Sequence, residues 1–221
     1  MQRALVIGSS GGIGTAFVTA LTAQGWQVKG LSRRDDGLDV TDEASVAAHL
    51  GALEGRFQRI LIVTGALEVD GHAPEKALKQ LSAEGMAAQF AVNTIGPALV
   101  MKHALNLLPR DEPSLLAALS ARVGSIGDNK AGGWHSYRAS KAALNQIIRG
   151  AAIELGRSHR QAICVALHPG TVVTPFTEKY LGRHPAVSPQ EAAGNLLRVI
   201  DRLGPADSGQ FFDWAGKPVP W

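Results

Sequence analysis

A tyrosine and a lysine in the stretch YRASK, Tyr137 and Lys141, are spaced so that they could move a proton together. Side chains four residues apart on a helix lie on the same face, so both would reach one site. A free phenol has a pKa of about 10, and a neighbouring ammonium lowers that value because it favours the phenolate. The protonated phenol can in turn protonate an alkoxide that forms at a carbonyl. The spacing predicts a proton-transfer pair, with an unreactive amphipathic helix as the alternative.

A glycine-rich loop, GSSGGIG at 8–14, follows the first apolar run of the chain. Glycine lets the backbone approach a pyrophosphate closely, and a helix that starts after the loop offers free N–H groups and the positive end of its dipole. The position after a first strand favours dinucleotide binding over a purely structural turn. The predicted cofactor contacts here are Gly8, Ser9, Ser10, Gly12, Ile13 and Gly14.

Two arginines at the end of the second predicted strand indicate which dinucleotide is preferred. Folds that bind NAD place a carboxylate at this point, where it bonds the ribose hydroxyls. The chain has Arg33 and Arg34 instead, and two guanidiniums suit a 2′-phosphate through charge-assisted hydrogen bonds. We therefore expect NADP(H) rather than NAD(H). Asp35 and Asp36 follow at once and could neutralise the arginines, which would leave a solvated basic turn.

The elements that must hold these residues alternate along the chain. Short β-branched runs predict strands at 3–8, 26–32, 38–40, 59–66, 114–122, 161–169 and 209–214. Stretches rich in Ala and Leu predict helices at 13–24, 42–53, about 82–108, 136–156 and 188–203. Repeated strand-helix-strand units form parallel sheets with helices on both faces. We expect an α/β protein with a doubly wound Rossmann fold, a mostly parallel seven-stranded sheet, and a single domain over 1–221.

Composition excludes several classes of function. The chain has 221 residues and a formal net charge of +3, and its basic residues are spread along it, so we expect no nucleic-acid partner. The single cysteine, Cys164, cannot form a disulfide within the chain, and the histidines show no metal-ligand spacing. No apolar run is long enough to cross a membrane. The sequence therefore predicts a soluble, cytoplasmic protein that binds no metal.

Five segments together make the chain resemble the short-chain dehydrogenase/reductase family. They are GSSGGIG (8–14), LDVTD (38–42), VNTIGP (92–97), YRASK (137–141) and HPGTVVT (168–174). A Tyr-x-x-x-Lys match alone is common by chance, whereas this set, in this order, is highly specific and covers nearly the whole chain. The C-terminal SGQFFDWAGKPVPW (208–221) and the short length look most like the C-factor-like branch of that family, which is related to small carbonyl reductases.

The resemblance implies a role for several residues. Tyr137 would be the general acid and base, and Lys141 would hold the nicotinamide ribose and lower the pKa of the tyrosine. Asn93 would anchor a water that connects the lysine to solvent, and Asp39 would bond the adenine amino group. The other implied cofactor contacts are Val40, the small-residue turn at Gly65 and Ala66, and Pro169, Gly170, Val172 and Thr174 beside the nicotinamide.

The chain departs from the family mainly at the position of one serine. The resemblance implies a serine at the end of the fifth strand that polarises the substrate carbonyl, but the matching position holds Ala121. Ser120 lies on the opposite face of the strand, and Ser125 follows in the loop. We expect Ser125 to take the role, with Ser120 or no serine as the alternatives. The family's Asn-Asn-Ala-Gly turn is also replaced, by Val-Thr-Gly-Ala at 63–66.

These assignments predict an NADP(H)-dependent reductase that transfers hydride to the carbonyl of a small aldehyde or ketone, with Tyr137 as the proton donor. The alternative is a C-factor-like signalling or cofactor-sensing protein with little turnover. The irregular segment 175–189 is typical of a lid over the substrate, with Phe176 and Tyr180 as its contacts. In the family the helices that carry the asparagine and the tyrosine pack against a partner subunit, so we expect a homodimer or homotetramer.

Overall fold

A parallel sheet forms the centre of the protein. The computed structural model describes residues 1–174, 177–180 and 185–221, and in this part of the chain the sheet has six strands. They are β1 (Arg3–Ile7), β2 (Gln27–Leu31), β3 (Arg59–Ile62), β4 (Ser114–Leu119), β5 (Ala162–His168) and β6 (Phe211–Asp213). Their order is β2-β1-β3-β4-β5-β6, and every neighbouring pair is parallel. The chain changes direction across the sheet between β1 and β3, and ligands of such folds bind at this switch point, beyond the carboxyl ends of the strands.

Helices cover both faces of the sheet. They are α1 (Gly12–Ala23), α2 (Arg33–Asp36), α3 (Glu43–Gly51), α4 (Ala83–Phe90), α5 (Gly96–Ala104), α6 (His135–Ser158) and α7 (Pro189–Ile200). One apolar core lies between the sheet and α3, α5 and α6, and a second lies between the sheet and α1 and α7. The predicted α/β class and its doubly wound architecture are confirmed. None of the described helices is long and apolar enough to cross a bilayer.

The predicted short strand at 38–40 is not part of the sheet, so the described residues form six strands rather than seven. Its backbone N–H groups find local partners instead of a neighbouring strand. Leu38 donates to the carbonyl oxygen of Ser32, and Asp39 donates to the hydroxyl of Ser45. The side chain of Leu38 is buried in the core, which explains why this run looks like a strand in the sequence.

The predicted helix at 82–108 is a chain of four helical segments. Between α4 and α5 the backbone forms a π-helical turn at Ala91–Ile95, and a 3₁₀ turn follows α5 at Leu105–Leu107. Pro97 lies four residues after Asn93 and has no N–H, so the carbonyl of Asn93 loses its regular α-helical partner. Single π turns of this kind occur frequently at functional sites.

Candidate active site

The glycine loop lies between the end of β1 and the start of α1. The N–H of Gly8 donates to the carbonyl oxygen of Leu31 over 2.7 Å, and Gly8 has a φ of 90°. A Cβ on Gly14 would lie 2.1 Å from the carbonyl oxygen of Gly8, and a Cβ on Gly12 would lie 2.9 Å from the methyl group of Thr174. The backbone therefore requires glycine at position 14, whereas a side chain at position 12 would displace Thr174. Gly11 caps α1 without a side-chain acceptor, and no acidic residue occupies its first turn.

Thr64 provides a test of whether a dinucleotide fits this crevice. It follows β3, and its methyl group would lie 3.1 Å from a Cβ on Gly8, so it borders the switch point. Among the described residues, its buried hydroxyl oxygen has no hydrogen-bond partner. Buried polar atoms normally have one, and an orphaned hydroxyl beside a glycine cradle is a group left for a polar ligand. The residues present fit a bound dinucleotide.

The two arginines differ in their surroundings. Arg34 forms an ion pair with Asp35 at 2.8 Å, and a side-chain hydrogen bond from Arg34 lowers the pKa of Asp35. Asp36 accepts the N–H of Ser32 instead of binding an arginine. The neutralisation that the acidic pair could cause therefore affects Arg34, whereas Arg33 is exposed at the start of α2.

Asp39 and Val40, the predicted adenine contacts, lie in the turn before α3. Asp39 accepts hydrogen bonds from the hydroxyl and the N–H of Thr41, and these bonds lower the pKa of its carboxyl group. Val40 packs against α5, since a Cβ on Gly96 would lie 2.9 Å from its side chain. Asp39 is ionised at neutral pH, and its role toward adenine stays a prediction.

Tyr137 and Lys141 lie on the first two turns of α6, and both are buried. Burial raises the pKa of the Tyr137 phenol, opposite to the lowering by Lys141 that the resemblance implies, and it lowers the pKa of Lys141 to about 8. The ammonium donates to the carbonyl oxygen of Leu119 at the end of β4 over 3.0 Å. A Cβ on Gly65 would lie 3.3 Å from this ammonium and 3.1 Å from Oδ1 of Asn93. The predicted residues Lys141, Asn93 and Gly65 therefore meet at the carboxyl edge of the sheet.

Asn93 uses its whole side chain to fix the chain after β3. Its Oδ1 accepts the N–H of Ala66 over 2.9 Å, and its Nδ2 donates to the carbonyl oxygen of Ala66 and to Gln89. Gln89 also donates to the carbonyl oxygen of Leu67 over 2.8 Å. Sequence reasoning missed Gln89, although its spacing of four residues before Asn93 places both on one helical face.

The two serines have different partners. Ser120 donates its proton to Oδ1 of Asn145 over 2.6 Å on the α6 side of the sheet. Ser125 accepts the N–H of Asp128 over 3.1 Å, so its own hydroxyl proton is not used in that bond, and its side chain is buried. Ala121 follows β4 and is partly exposed.

The segment after β5 reaches back to the glycine loop. Thr174 lies against Gly12, as described above, and Gly170 lies against the indole of Trp214. Val172 is buried and forms a bridge with Val187, so its side chain belongs to the packing of this segment. Lys179 forms an ion pair with Glu68, which joins the segment to the chain after β3. Phe176 lies outside the described residues, and so does the side chain of Tyr180.

A parallel doubly wound sheet, a glycine loop at its switch point and a buried tyrosine–lysine pair at the same edge define a Rossmann-fold oxidoreductase. The sequence model of the enoyl-(acyl carrier protein) reductase family matches residues 7–202. The chain belongs to the short-chain dehydrogenase/reductase family.

The chain is similar to two known proteins of that family and to one solved structure. The 1-hydroxy-2-glutathionyl-2-methyl-3-butene dehydrogenase of Rhodococcus sp. (strain AD45) is 30% identical, with 100% of both chains covered. C-signal of Myxococcus xanthus is 37% identical over 66% of this chain and 84% of its own. The solved structure of an NADPH-bound carbonyl reductase from chicken fatty liver has a TM-score of 0.82 and 25% identity, covering 100% of this chain and 99% of its own.

Proposed function

We propose that the protein is an NADP(H)-dependent reductase of a small aldehyde or ketone, with Tyr137 as the proton donor. The observation that carries this proposal is the buried Tyr137 and Lys141 pair, with Lys141 beside Asn93 and Gly65 at the carboxyl edge of the sheet. The chicken relative named above, which is described as an NADPH-bound carbonyl reductase, supports the same chemistry. When bound, NADPH supplies a hydride to the carbonyl carbon.

The protonation states of the two side chains suit reduction. Because burial raises the pKa of Tyr137, its phenol carries a proton at neutral pH and can give it to the oxygen of the carbonyl as that oxygen gains negative charge. Lys141, with a pKa of about 8, is mostly an ammonium at the same pH. Its positive charge stabilises the phenolate that the proton transfer leaves behind.

The cofactor would be held at two ends. The glycine loop and the N-terminus of α1 would hold the pyrophosphate, with the hydroxyl of Thr64 as a further donor or acceptor. Arg33, which Asp35 does not neutralise, would bind the 2′-phosphate that distinguishes NADP(H) from NAD(H). Ser125 would donate its free hydroxyl proton to the substrate carbonyl, whereas Ser120 has already given its proton to Asn145.

The protein would act as a homodimer or homotetramer through the face of the asparagine and tyrosine helices. Ile95, Ile147 and Ile153 are 49%, 40% and 51% exposed there, although they are large and apolar. Burial of this surface against a second copy would remove it from water. Light scattering on the purified protein tests the assembly, and a monomer at assay concentration would contradict it.

A carbonyl panel tests the activity. We expect oxidation of NADPH with at least one small aldehyde or ketone, and loss of that turnover in Tyr137→Phe, which keeps the ring and removes the proton. NADPH binding by the variant, measured by calorimetry, shows that its cofactor site is intact. Full turnover in Tyr137→Phe would refute the proton donor.

The similarity to C-signal favours one alternative, a signalling or cofactor-sensing protein. Ala121, which replaces the serine of the family, is the residue that supports it. Tight NADPH binding with no turnover across the whole panel would favour this alternative over a reductase.

A further inference from the structure

Glu75 is a buried carboxylate that contacts the helix of Tyr137 from outside that helix. It belongs to the segment between β3 and α4 and is 9% exposed. Its Oε2 accepts the N–H of Ser136 over 3.1 Å, and its Oε1 accepts the hydroxyl proton of Ser136. Its backbone oxygen accepts the N–H of Trp134. Glu75 therefore holds two of the three residues that precede Tyr137, namely Trp134 and Ser136.

The start of α6 explains why this contact is needed. The helix follows three consecutive residues with left-handed backbones, Gly132, Gly133 and Trp134, whose φ values are 62°, 65° and 52°. A bulky residue rarely adopts this conformation, so the surrounding contacts must hold Trp134 in it. Trp134 is the N-cap residue, and its side chain accepts no capping hydrogen bond. The free N–H groups of a helix start require acceptors, and Glu75 supplies one from a distant part of the chain.

Trp134 connects this arrangement to the reacting phenol. Its indole meets the ring of Tyr137 edge to face, with 6.2 Å between the ring centroids and 66° between the planes. Aromatic pairs favour this geometry. A shift of the turn at 132–134 would therefore move the ring beside Tyr137 as well as the first turn of the helix that carries it.

The charge of Glu75 suits its position. Burial would raise the pKa of its carboxyl group, but the hydrogen bonds from the hydroxyl and the N–H of Ser136 bring that pKa below its ordinary value. The ionised carboxylate accepts at both oxygens, and a negative charge is favourable at the positive end of a helix dipole.

We propose that Glu75 is a positioning residue for the reaction: by binding Ser136 and Trp134 it fixes the first turn of α6, and with it the phenol of Tyr137. The proposal rests on the proposed reductase function. Glu75 acts through Tyr137, because its partners Ser136 and Trp134 lie at the start of α6, about one turn before Lys141.

The test compares Glu75→Ala and Glu75→Gln under saturating NADPH. Misplacement of a reacting group by about 1 Å can cost about 100-fold in rate, so we expect a loss of that size in kcat for Glu75→Ala. The KM for NADPH should change much less than kcat, because the glycine loop and Arg33 lie outside α6. Glutamine keeps an acceptor for the N–H of Ser136, and the serine hydroxyl can turn to accept from the amide, so Glu75→Gln should recover most of kcat. Ser136→Ala, which loses one of the two bonds, should fall between them.

Asp42→Ala is the matched control, because it removes the side-chain cap of α3, a helix that packs against α5. We expect it to lower the unfolding temperature without lowering kcat. An equal loss of kcat in Asp42→Ala and Glu75→Ala would overturn the proposal, since any lost cap would then have the same effect. Equal losses in Glu75→Gln and Glu75→Ala would also overturn it, as would an unchanged kcat in Glu75→Ala.

A second readout does not depend on turnover. Labelling with 5-fluorotryptophan gives one ¹⁹F NMR signal for each of the four tryptophans, and Trp134→Phe assigns the signal of Trp134. We expect this signal alone to move in Glu75→Ala and to return in Glu75→Gln. If the wild-type protein reduces no carbonyl, the reductase function fails, and the signal of Trp134 then decides the positioning role by itself. An unmoved signal in Glu75→Ala would overturn that role.

Discussion

At the scale of single residues, we expect the pKa of Lys141 to set the pH above which activity falls. Burial lowers its pKa to about 8, so its ammonium is lost as the pH rises through that value. We expect kcat/KM for NADPH, which reports the free enzyme, to be level below this pH and to fall about tenfold per pH unit above it. A Lys141→Arg variant stays charged at these pH values, so its residual activity should not show the fall. A wild-type profile that is level to pH 10 would contradict the role of Lys141.

The serines provide a second test at this scale. We expect Ser125→Ala to lower kcat about 100-fold, the usual cost of a lost donor to a developing oxyanion. Ser120→Ala should leave kcat nearly unchanged, but it should lower the free energy of unfolding by about 1–3 kcal/mol because Asn145 keeps a buried oxygen without a donor. Urea unfolding and steady-state kinetics on both variants separate the two effects. A larger loss of kcat in Ser120→Ala would reverse the assignment.

The variant Ala121→Ser, which restores the serine of the family, tests the remaining alternative that no serine polarises the carbonyl. If no hydroxyl polarises the carbonyl in this chain, Ala121→Ser should raise kcat while Ser125→Ala leaves it unchanged. Sequence spacing could name the candidate serines, but it could not choose among them, because the choice depends on which hydroxyl proton is already donated. That information lies in Asn145 and Asp128, and neither residue belongs to a motif.

At the scale of elements, we predict that the one-turn helix α2 sets the preference for NADP(H). Arg34 is paired with Asp35, whereas the neighbouring Arg33 is not held by that carboxylate. We therefore expect Arg33→Ala to weaken NADPH binding about 10- to 100-fold, the range for a lost charged hydrogen bond, and Arg34→Ala to weaken it less. NADH binding should change in neither variant, because NADH lacks the phosphate. Calorimetric titration with both cofactors measures this, and equal losses for NADPH and NADH would refute a phosphate contact.

Asp35→Ala, which releases Arg34, should bring NADPH binding above the wild-type affinity.

The helix at 83–107 illustrates what periodicity can and cannot predict about an element. The apolar repeat gave its extent to within a residue or so, because the buried face continues through all four segments. The π turn at Ala91–Ile95 does not follow from the repeat. Its signal is the spacing of Asn93 and Pro97, which leaves a carbonyl without an α-helical donor. Gln89, which fixes the amide of Asn93, follows from the same helical spacing once Asn93 is known to face the site.

At the scale of the whole molecule, local sequence patterns predict the architecture better than they predict the contacts of the candidate active site. Alternating strands and helices are a property of consecutive residues, so the parallel sheet and both helical layers could be predicted. The strand predicted at 38–40 was wrong, because a strand requires a neighbouring strand and the N–H groups of Leu38 and Asp39 bond to nearby residues instead. Glu75 and Ser136 are 61 positions apart, and only the folded chain brings them together. No pattern in the sequence marks such a pair.

Stability against acid should depend on two histidines with opposite shifts. Burial lowers the pKa of His168 to about 4, and the charge of Arg122 acts in the same direction while Asp213 opposes it. The unfolded histidine has a pKa of about 6.5, so between these values the unfolded chain binds a proton that the folded chain does not. Its contribution to stability is therefore lost as the pH falls from about 6.5 toward 4. In His49 the ring nitrogens face the carbonyl oxygens of Ser45 and Asp36, which raise its pKa, and its contribution is present at low pH and lost as the pH rises.

The two variants His168→Gln and His49→Gln should therefore change the acid stability in opposite directions. Urea unfolding between pH 8 and pH 5 should show a smaller decline than wild type for His168→Gln and a larger one for His49→Gln. For His168 the difference at pH 5 should be about 2 kcal/mol at most, since each unit of pKa shift corresponds to about 1.4 kcal/mol. Carboxylates that are paired in the folded state begin to lose their contribution only toward the lower end of this range. Parallel curves for the wild type and His168→Gln would mean that the imidazole of this half-buried residue at the end of β5 is solvated in the folded protein, which contradicts its lowered pKa.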